Sequence, residues 1–188
     1  GYLACEDGTV FGGLMNEAYV IKANHGMGGV NFQKPMDDHL TESRLLFALD
    51  AKTGNHLWSF DPEHSIRNNA IAVGDARVYL IDREPAAMDT LLRTEVARRR
   101  KAGEPVPEHP TGVLIALDAR SGEELWRTDD DVFGTVLAVD AERDILLMSY
   151  YHVGFPRPSE TPSGMRMYRA STGETLWECD YMGYRPVL

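Results

Sequence analysis

One group of side chains in this sequence has the composition of a metal site. Within residues 15–43, nitrogen and oxygen donors that suit a divalent cation are supplied by His25, Asp37, Asp38, His39 and Glu42. Their spacing matches no metal-binding signature, and hydrogen bonding in an ordinary surface loop accounts for the same residues. We therefore predict no metal site.

Motifs for other reactions are missing from the sequence. No Gly-x-Ser-x-Gly elbow is available for a nucleophilic serine. The glycine-rich HGMGG at 25–29 lacks the lysine of a phosphate loop. Cys5 and Cys179 are the only cysteines, and they form no CxxC, CxxCH or adjacent pair. We predict no catalytic residue.

Charge and hydropathy exclude two classes of partner. The formal net charge is −10 and the pI is about 5.0, which would repel a phosphate backbone or an anionic bilayer. No apolar run approaches the ~18 residues that a transmembrane helix needs. The start, GYLACEDG, has neither an initiator methionine nor a signal-peptide pattern, as expected of a processed chain or an excised piece. We expect neither nucleic-acid binding nor a transmembrane segment.

Three turns repeat one pattern, each ending in one of the three tryptophans: AKTGNHLW (51–58), ARSGEELW (119–126) and ASTGETLW (170–177). An aspartate can accept backbone N–H bonds across such a turn, and its glycine can adopt a positive φ. Apolar runs at matching offsets predict four short strands per repeat, an antiparallel meander. One tryptophan per repeat at constant phase favours packing between repeats over the alternative, a ligand-stacking surface.

This AxDxxTGxxxW pattern resembles the tryptophan-docking motif of PQQ-type β-propeller repeats in quinoprotein alcohol dehydrogenases. The motif residues are Ala48, Asp50, Thr53, Gly54 and Trp58, then Ala116, Asp118, Ser121, Gly122 and Trp126, then Thr172, Gly173 and Trp177. The third copy is degenerate, with Met167 and Arg169 where alanine and aspartate are expected. The resemblance implies an all-β fold, a β-propeller of about three four-stranded antiparallel blades in a partial ring.

We predict a single partial propeller over 1–188. Its blades span 2–60 (insertion 15–43), 70–128 (insertion 83–112) and 136–179 (insertion 151–164), and a fourth blade starts at 183–188. The second insertion should contain one short helix from about Asp89 to Ala102, ended by Gly103. Three blades cannot close a ring. We therefore expect a fragment of a larger propeller, or a chain that associates to cover its exposed blade faces.

In the layout of the resembling family, the insertions and the connections between blades lie on the face that carries the active site. The insertions could recognise a ligand there, or only cover the rim and contact further blades. The candidate binding residues are Arg67, Asn68 and Asn69 in the connection 61–69, Asp131 in the connection 129–134, and His152. His64 and His152 are the histidines best placed at this face.

The resemblance leaves two functions open. The first is a noncatalytic module for protein interaction or ligand binding, like the lipoprotein scaffold of the bacterial outer-membrane assembly machinery. Its partner would be a protein or the remaining blades of the parent propeller. The alternative is part of a PQQ-dependent quinoprotein dehydrogenase, with pyrroloquinoline quinone and calcium at the ring axis. The absence of an adjacent cysteine pair and the docking positions of all three tryptophans favour the first.

Two further expectations concern location and topology. The resembling proteins occur mostly outside the cytoplasm, which implies a periplasmic or secreted protein. The family layout places Cys5 and Cys179 two blades apart, one near the axis and one at the periphery. We expect no disulfide between them, because a disulfide requires Cα atoms within about 7 Å.

Overall fold

Short strands joined by tight turns make up most of the computed structural model, which describes residues 2–15, 42–85, 95, 97–105, 111–149 and 164–179. The described strands are β1 (Leu3–Glu6), β2 (Thr9–Met15), β3 (Glu42–Asp50), β4 (His56–Phe60), β5 (Ser65–Gly74), β6 (Arg77–Arg83), β7 (Gly112–Asp118), β8 (Glu124–Val132), β9 (Val136–Asp140), β10 (Ile145–Ser149), β11 (Met165–Arg169) and β12 (Thr175–Cys179).

These strands form three four-stranded antiparallel meanders, which we call the first blade (β1–β4), the second blade (β5–β8) and the third blade (β9–β12). Within each blade every strand pairs with the next along the chain. Among the described strands, none of the first blade pairs with one of the third, and the three blades do not close a ring. The predicted all-β fold with three four-stranded propeller blades is confirmed.

The second blade is buried on both faces, which explains its long apolar runs. Val78 and Leu80 of β6 belong to the core shared with the first blade. Tyr79 and Ile81, which alternate with them, belong to the core shared with the third blade. Successive strand residues point to opposite faces of a sheet. An uninterrupted apolar strand such as β6 therefore contributes side chains to both cores.

The cross-strand register lines up one row of side chains per blade. Trp58 lies opposite Ala48, which lies opposite Phe11. Trp126 lies opposite Ala116 and then Tyr79. The tryptophan ring centroid lies 5.9 Å from that of Phe11 in the first blade and 6.0 Å from that of Tyr79 in the second. Each row therefore places its tryptophan on the face that packs against the next blade.

The connections between blades begin and end differently from the sequence-based prediction. The segment 61–69 was expected to be a loop, but β5 already begins at Ser65, and its first residues pair with both β3 and β6. A register shift between Ile66 and Ile71 accommodates this double pairing. Likewise β8 continues to Val132, so four of the six residues in the predicted connection 129–134 are strand. Periodicity alone misses the start of β5, because its first residues also pair with β3 of the neighbouring blade.

The predicted helix is present at its C-terminal end, where Glu95 and residues 97–102 are helical. Gly103 has φ +70, its N–H donates to the Arg100 carbonyl, and the Glu104 N–H donates to the Arg99 carbonyl. This pair of bonds is a Schellman C-cap. The predicted start at Asp89 lies outside the described residues. Hydrogen bonds from Arg98 and Arg99 lower the pKa of Glu95 to about 2.

Several predictions fall outside the described residues: most of the three insertions, the fourth blade at 183–188, and the donors His25, Asp37, Asp38 and His39. Cys5 on β1 and Cys179 on β12 are both free and exposed. In the part of the chain that the structure describes, no helix has the length and apolar character needed to cross a membrane.

Candidate interaction surface at the connection end

The meander gives each blade two different ends. At one end, which we call the turn end, short turns join β1 to β2, β3 to β4 and their counterparts. The other end, which we call the connection end, carries the segments between blades and the three longest connections: 16–41, 84–111 and 150–164. Long loops on one edge of a rigid scaffold are where recognition is usually found. The connection end is therefore the candidate site.

Asp82, at the end of β6, holds the connection between the first and second blades. Its carboxylate accepts hydrogen bonds from three successive backbone N–H groups, those of Glu63, His64 and Ser65, at 2.6, 3.1 and 3.0 Å. The side chain is buried. A buried carboxylate that is satisfied by three backbone donors fixes the path of a loop, since losing it would leave all three donors without their partner.

Arg83, the next residue, reaches in the other direction along the connection end. Its guanidinium donates to the carbonyls of Val132 and Gly134, at 3.1 and 2.7 Å, in the connection between the second and third blades. Neighbouring residues of β6 thus hold the connections on both sides of the second blade.

Arg166 on β11 holds the same connection from the third blade. It donates to the Asp130 carbonyl at 2.5 Å and to the carboxylates of Glu178 and Asp131 at 2.6 and 3.4 Å. Its guanidinium carbon also lies 6.0 Å from the centroid of the Phe133 ring. The arginine side chain is only 7% exposed, so these contacts compensate for burying its charge.

The predicted binding residues separate into two groups in the structure. Arg67 and Asn68 are buried in β5, where Arg67 lies opposite Glu42 in the register and the Asn68 side-chain oxygen accepts a bond from Ser43 at 2.7 Å. Asn69, in contrast, is exposed to solvent. Asp131 is also exposed and has a positive φ of 47°. His152 lies outside the described residues.

Burial therefore limits which of these residues can touch a partner. Asn69 and Asp131 are accessible at the connection end, whereas Arg67 and Asn68 lie inside the seam between the first two blades. The predicted His64 is partly exposed, with its Nε2 atom 3.3 Å from a Glu84 carboxylate oxygen. The described residues contain no cluster of three or more histidine, cysteine, aspartate or glutamate side chains suited to a metal.

The residues that hold the connections were not predicted from the sequence: Asp82, Arg83 and Arg166. A signal was available: Asp82 and Arg83 directly follow the apolar run of β6, and Arg166 stands between two methionines on a buried strand. Charged side chains at the ends of buried strands need partners. The backbone partners of these side chains were not readable, because they lie 17 to 51 residues away in sequence.

At the turn end, the tryptophans contact the turn of the following blade. The Trp58 indole N–H donates to the Ala119 carbonyl, and that of Trp126 to the Ala170 carbonyl, each at 3.0 Å. A Cβ placed on Gly122 would lie 2.6 Å from the Trp58 ring, and one on Gly173 would lie 2.7 Å from the Trp126 ring. The glycines therefore leave room for the rings.

The turns themselves are held by carboxylates. The Asp50 carboxylate accepts bonds from Lys52 N–H, Thr53 N–H and the Thr53 hydroxyl at 3.1, 2.7 and 2.7 Å, and the bonds from Thr53 lower its pKa. In the second blade, Asp118 accepts from the N–H groups of Ser121 and Arg120, and the Ser121 bond is the main cause of its lowered pKa.

The degenerate third turn keeps its shape through a carboxylate from another strand pair. Arg169 replaces the aspartate, and Asp144 in the turn between β9 and β10 accepts bonds from the Ser171 N–H and hydroxyl, each at 2.7 Å. The Gly173 N–H still donates to the Arg169 carbonyl at 2.8 Å, as Gly54 and Gly122 do to Asp50 and Asp118.

The geometry above coincides with a match to a protein family. The family model described as outer membrane protein assembly factor BamB, of the PQQ-like repeat type, matches residues 41–184. The chain belongs to this family. No curated protein matches the sequence.

Solved structures of BamB and of quinoprotein dehydrogenases resemble the chain in fold. BamB from Moraxella catarrhalis is 18% identical, with a TM-score of 0.45, over 74% of this chain and 33% of that one. A quinohemoprotein alcohol dehydrogenase from Pseudomonas putida HK5 is 18% identical, with a TM-score of 0.46, over 94% and 25%. A europium-containing methanol dehydrogenase is 17% identical, with a TM-score of 0.44, over 77% and 23%. The chain thus spans about a third or less of the length of these relatives.

Proposed function

We propose that this member of the BamB family is a noncatalytic propeller module that binds other proteins through its connection end, outside the cytoplasm. One observation supports the proposal most: at this end, buried charged side chains fix the connections between blades, and the long connections start from the same edge. Buried Asp82, Arg83 and Arg166 hold the connections between blades, and all three long connections leave from the same edge. A rigid frame that carries long connections on one edge is suited to recognition.

The family supports a protein as the bound partner. Its description is that of an assembly factor for outer membrane proteins, so the partner class is a protein of that assembly machinery. The chemistry of the described seam agrees with this choice, because its charged groups hold backbone carbonyls and N–H groups in place. These charged side chains of the seam serve to position the backbone of the connections.

Site-specific photo-crosslinking tests the proposal. A photo-crosslinking residue replaces Asn69, which is exposed at the connection end, in the chain exported to the periplasm of a Gram-negative bacterium. The control replaces Glu142, which is exposed in the turn between β9 and β10 at the opposite end. We expect mass spectrometry to identify a component of the outer-membrane assembly machinery in the adduct from position 69 and not in that from position 142. Equal adducts at the two positions, or none at 69, would contradict the proposal.

A quinone titration tests the competing function, part of a quinoprotein dehydrogenase. The purified chain is titrated with pyrroloquinoline quinone in the presence of calcium by calorimetry, and the quinone absorbance is measured after gel filtration. We expect no heat of binding and no retained absorbance from a folded sample. Stoichiometric retention would reject the noncatalytic function and direct attention to the connections at 61–69 and 129–134.

A further inference from the structure

The described part of the helix in the connection 84–111 is exposed on nearly all sides. Of residues 97–102, Arg99 alone is partly buried. A helix without an apolar face is stabilised by pairs between its own charged side chains. Arg98 and Arg99 supply these pairs, because both donate to the Glu95 carboxylate, at 2.9 and 2.7 Å. Together with the C-cap described above, these bonds keep the end of the helix in shape.

Two cations of this helix, Arg100 and Lys101, take no part in the network. Both are exposed, and within the described part of the chain neither side chain has a hydrogen bond or an ion pair. Four cations and two carboxylates give residues 95–104 a formal charge of +2. The whole chain, in contrast, has a net charge of −10. We call residues 97–102 the basic helix end.

The helix dipole explains only part of this charge. A cation in the last turn of a helix is favoured by the dipole, and Arg98 and Arg99 already lie close to that turn. The charges of Arg100 and Lys101 differ because no carboxylate of the described residues compensates them. An acidic group of another molecule would therefore meet two unpaired cations on a helix that is already formed.

We propose that the basic helix end contacts an acidic segment of the protein partner, with Arg100 and Lys101 pairing with its carboxylates. The proposal rests on the protein-binding function proposed above and adds the chemistry of the partner. A nucleic acid or an anionic membrane fits less well, because such an extended anionic surface would also face the acidic remainder of the chain. Exposed charges of opposite sign speed the encounter and select the partner.

Fluorescence anisotropy with a labelled acidic peptide tests the charge pairing. The probe is a peptide of alternating glutamate and serine, and a peptide of alternating glutamine and serine is the neutral control. We expect the chain to bind the acidic peptide alone, at low salt, and to lose it as added salt screens the charges. Arg100→Glu combined with Lys101→Glu should weaken this binding about tenfold or more. Undiminished binding would overturn the proposal.

A matched pair of substitutions separates a local contact from overall charge. Lys52 and Arg120 are exposed in turns at the turn end. Lys52→Glu combined with Arg120→Glu changes the net charge by the same amount, and it should weaken binding clearly less. Equal weakening by the two pairs would overturn the proposal. Arg100→Gln combined with Lys101→Gln keeps good helix formers, so its loss of binding would not come from an unfolded helix, which circular dichroism checks.

Photo-crosslinking separates this proposal from the protein-binding function itself. With the photo-crosslinking residue at position 69, Arg100→Glu combined with Lys101→Glu should reduce the adduct with the assembly machinery. An undiminished adduct would overturn the contact at the basic helix end and leave the protein-binding function standing. Absence of the adduct when the helix is unchanged would contradict that function instead. Tighter binding of phosphatidylglycerol vesicles or duplex DNA than of the acidic peptide would overturn the choice of a protein partner.

Discussion

Each docked tryptophan uses both parts of its side chain. The ring fills the space above a turn glycine, and the N–H satisfies a carbonyl of the same turn. A buried indole that lacked this acceptor would carry an unsatisfied donor, at a cost of about 1–3 kcal/mol. The pairing therefore fixes both the position and the orientation of the next blade, which a purely apolar residue could not do.

Two glycine substitutions isolate this docking at the residue scale. Gly54 and Gly122 have nearly the same φ, so alanine at either position should incur a similar backbone strain, about 1–2 kcal/mol. Only at position 122 does the new Cβ meet the Trp58 ring. We expect Gly122→Ala to lower the free energy of unfolding by about 1–3 kcal/mol more than Gly54→Ala.

Urea denaturation of dilute, monomeric samples measures the difference between the two variants. In both variants, the slope of the unfolding free energy against urea concentration should equal that of the wild type. An equal slope means that unfolding exposes the same amount of surface. Equal destabilisation by the two alanines would mean that Trp58 does not rest on Gly122.

The element scale shows how a degenerate repeat can keep its turn. The third turn lacks the aspartate of the other two, yet its glycine makes the same backbone hydrogen bond because Asp144 supplies the carboxylate from the turn between β9 and β10. Asp144 has a positive φ of 55°, which places its own backbone in a strained region. The two hydrogen bonds that the Asp144 carboxylate accepts from Ser171 offset this backbone strain.

A double-mutant cycle tests whether Asp144 takes the role of the aspartate that the third turn lacks. Asp144→Gly relieves the positive φ but removes both bonds to Ser171, and we expect a net loss of about 1 kcal/mol in the free energy of unfolding. Arg169→Asp restores the aspartate at the position it has in the first two turns. In the Arg169→Asp background, Asp144→Gly should cost clearly less, as measured by urea denaturation. Additive effects of the two changes would contradict the exchange of roles.

Local patterns in the sequence predicted the elements better than the contacts between them. The turns were readable because aspartate, glycine and tryptophan act within a few residues of each other. The role of Asp144 was not readable, because it binds a turn 27 residues away in sequence. For the same reason, Arg67 and Asn68 were predicted in an open loop, whereas pairing of β5 with β3 buries them.

At the scale of the whole molecule, the repeat pattern predicted the open propeller. For the candidate site it predicted which end of the blades is involved, but not the residues that hold that end together. The connection end was identified from the layout of the blades, and Asn69 and Asp131 are accessible there. The residues that make this end rigid were missed, since Asp82, Arg83 and Arg166 act across blade boundaries. Blade order follows from periodicity, but contacts between blades depend on how consecutive blades are placed side by side.

The tryptophans of the first and second blades are each seated on the turn of the next blade. The most direct test of this central claim is the exchange of the three indole N–H protons with solvent, measured by nuclear magnetic resonance in a sample diluted until it is monomeric, with signals assigned through single Trp→Phe variants. We predict slow exchange for Trp58 and Trp126, whose N–H groups bind Ala119 and Ala170, and fast exchange for the exposed Trp177. Exchange at Trp58 or Trp126 as fast as at Trp177 would contradict the account.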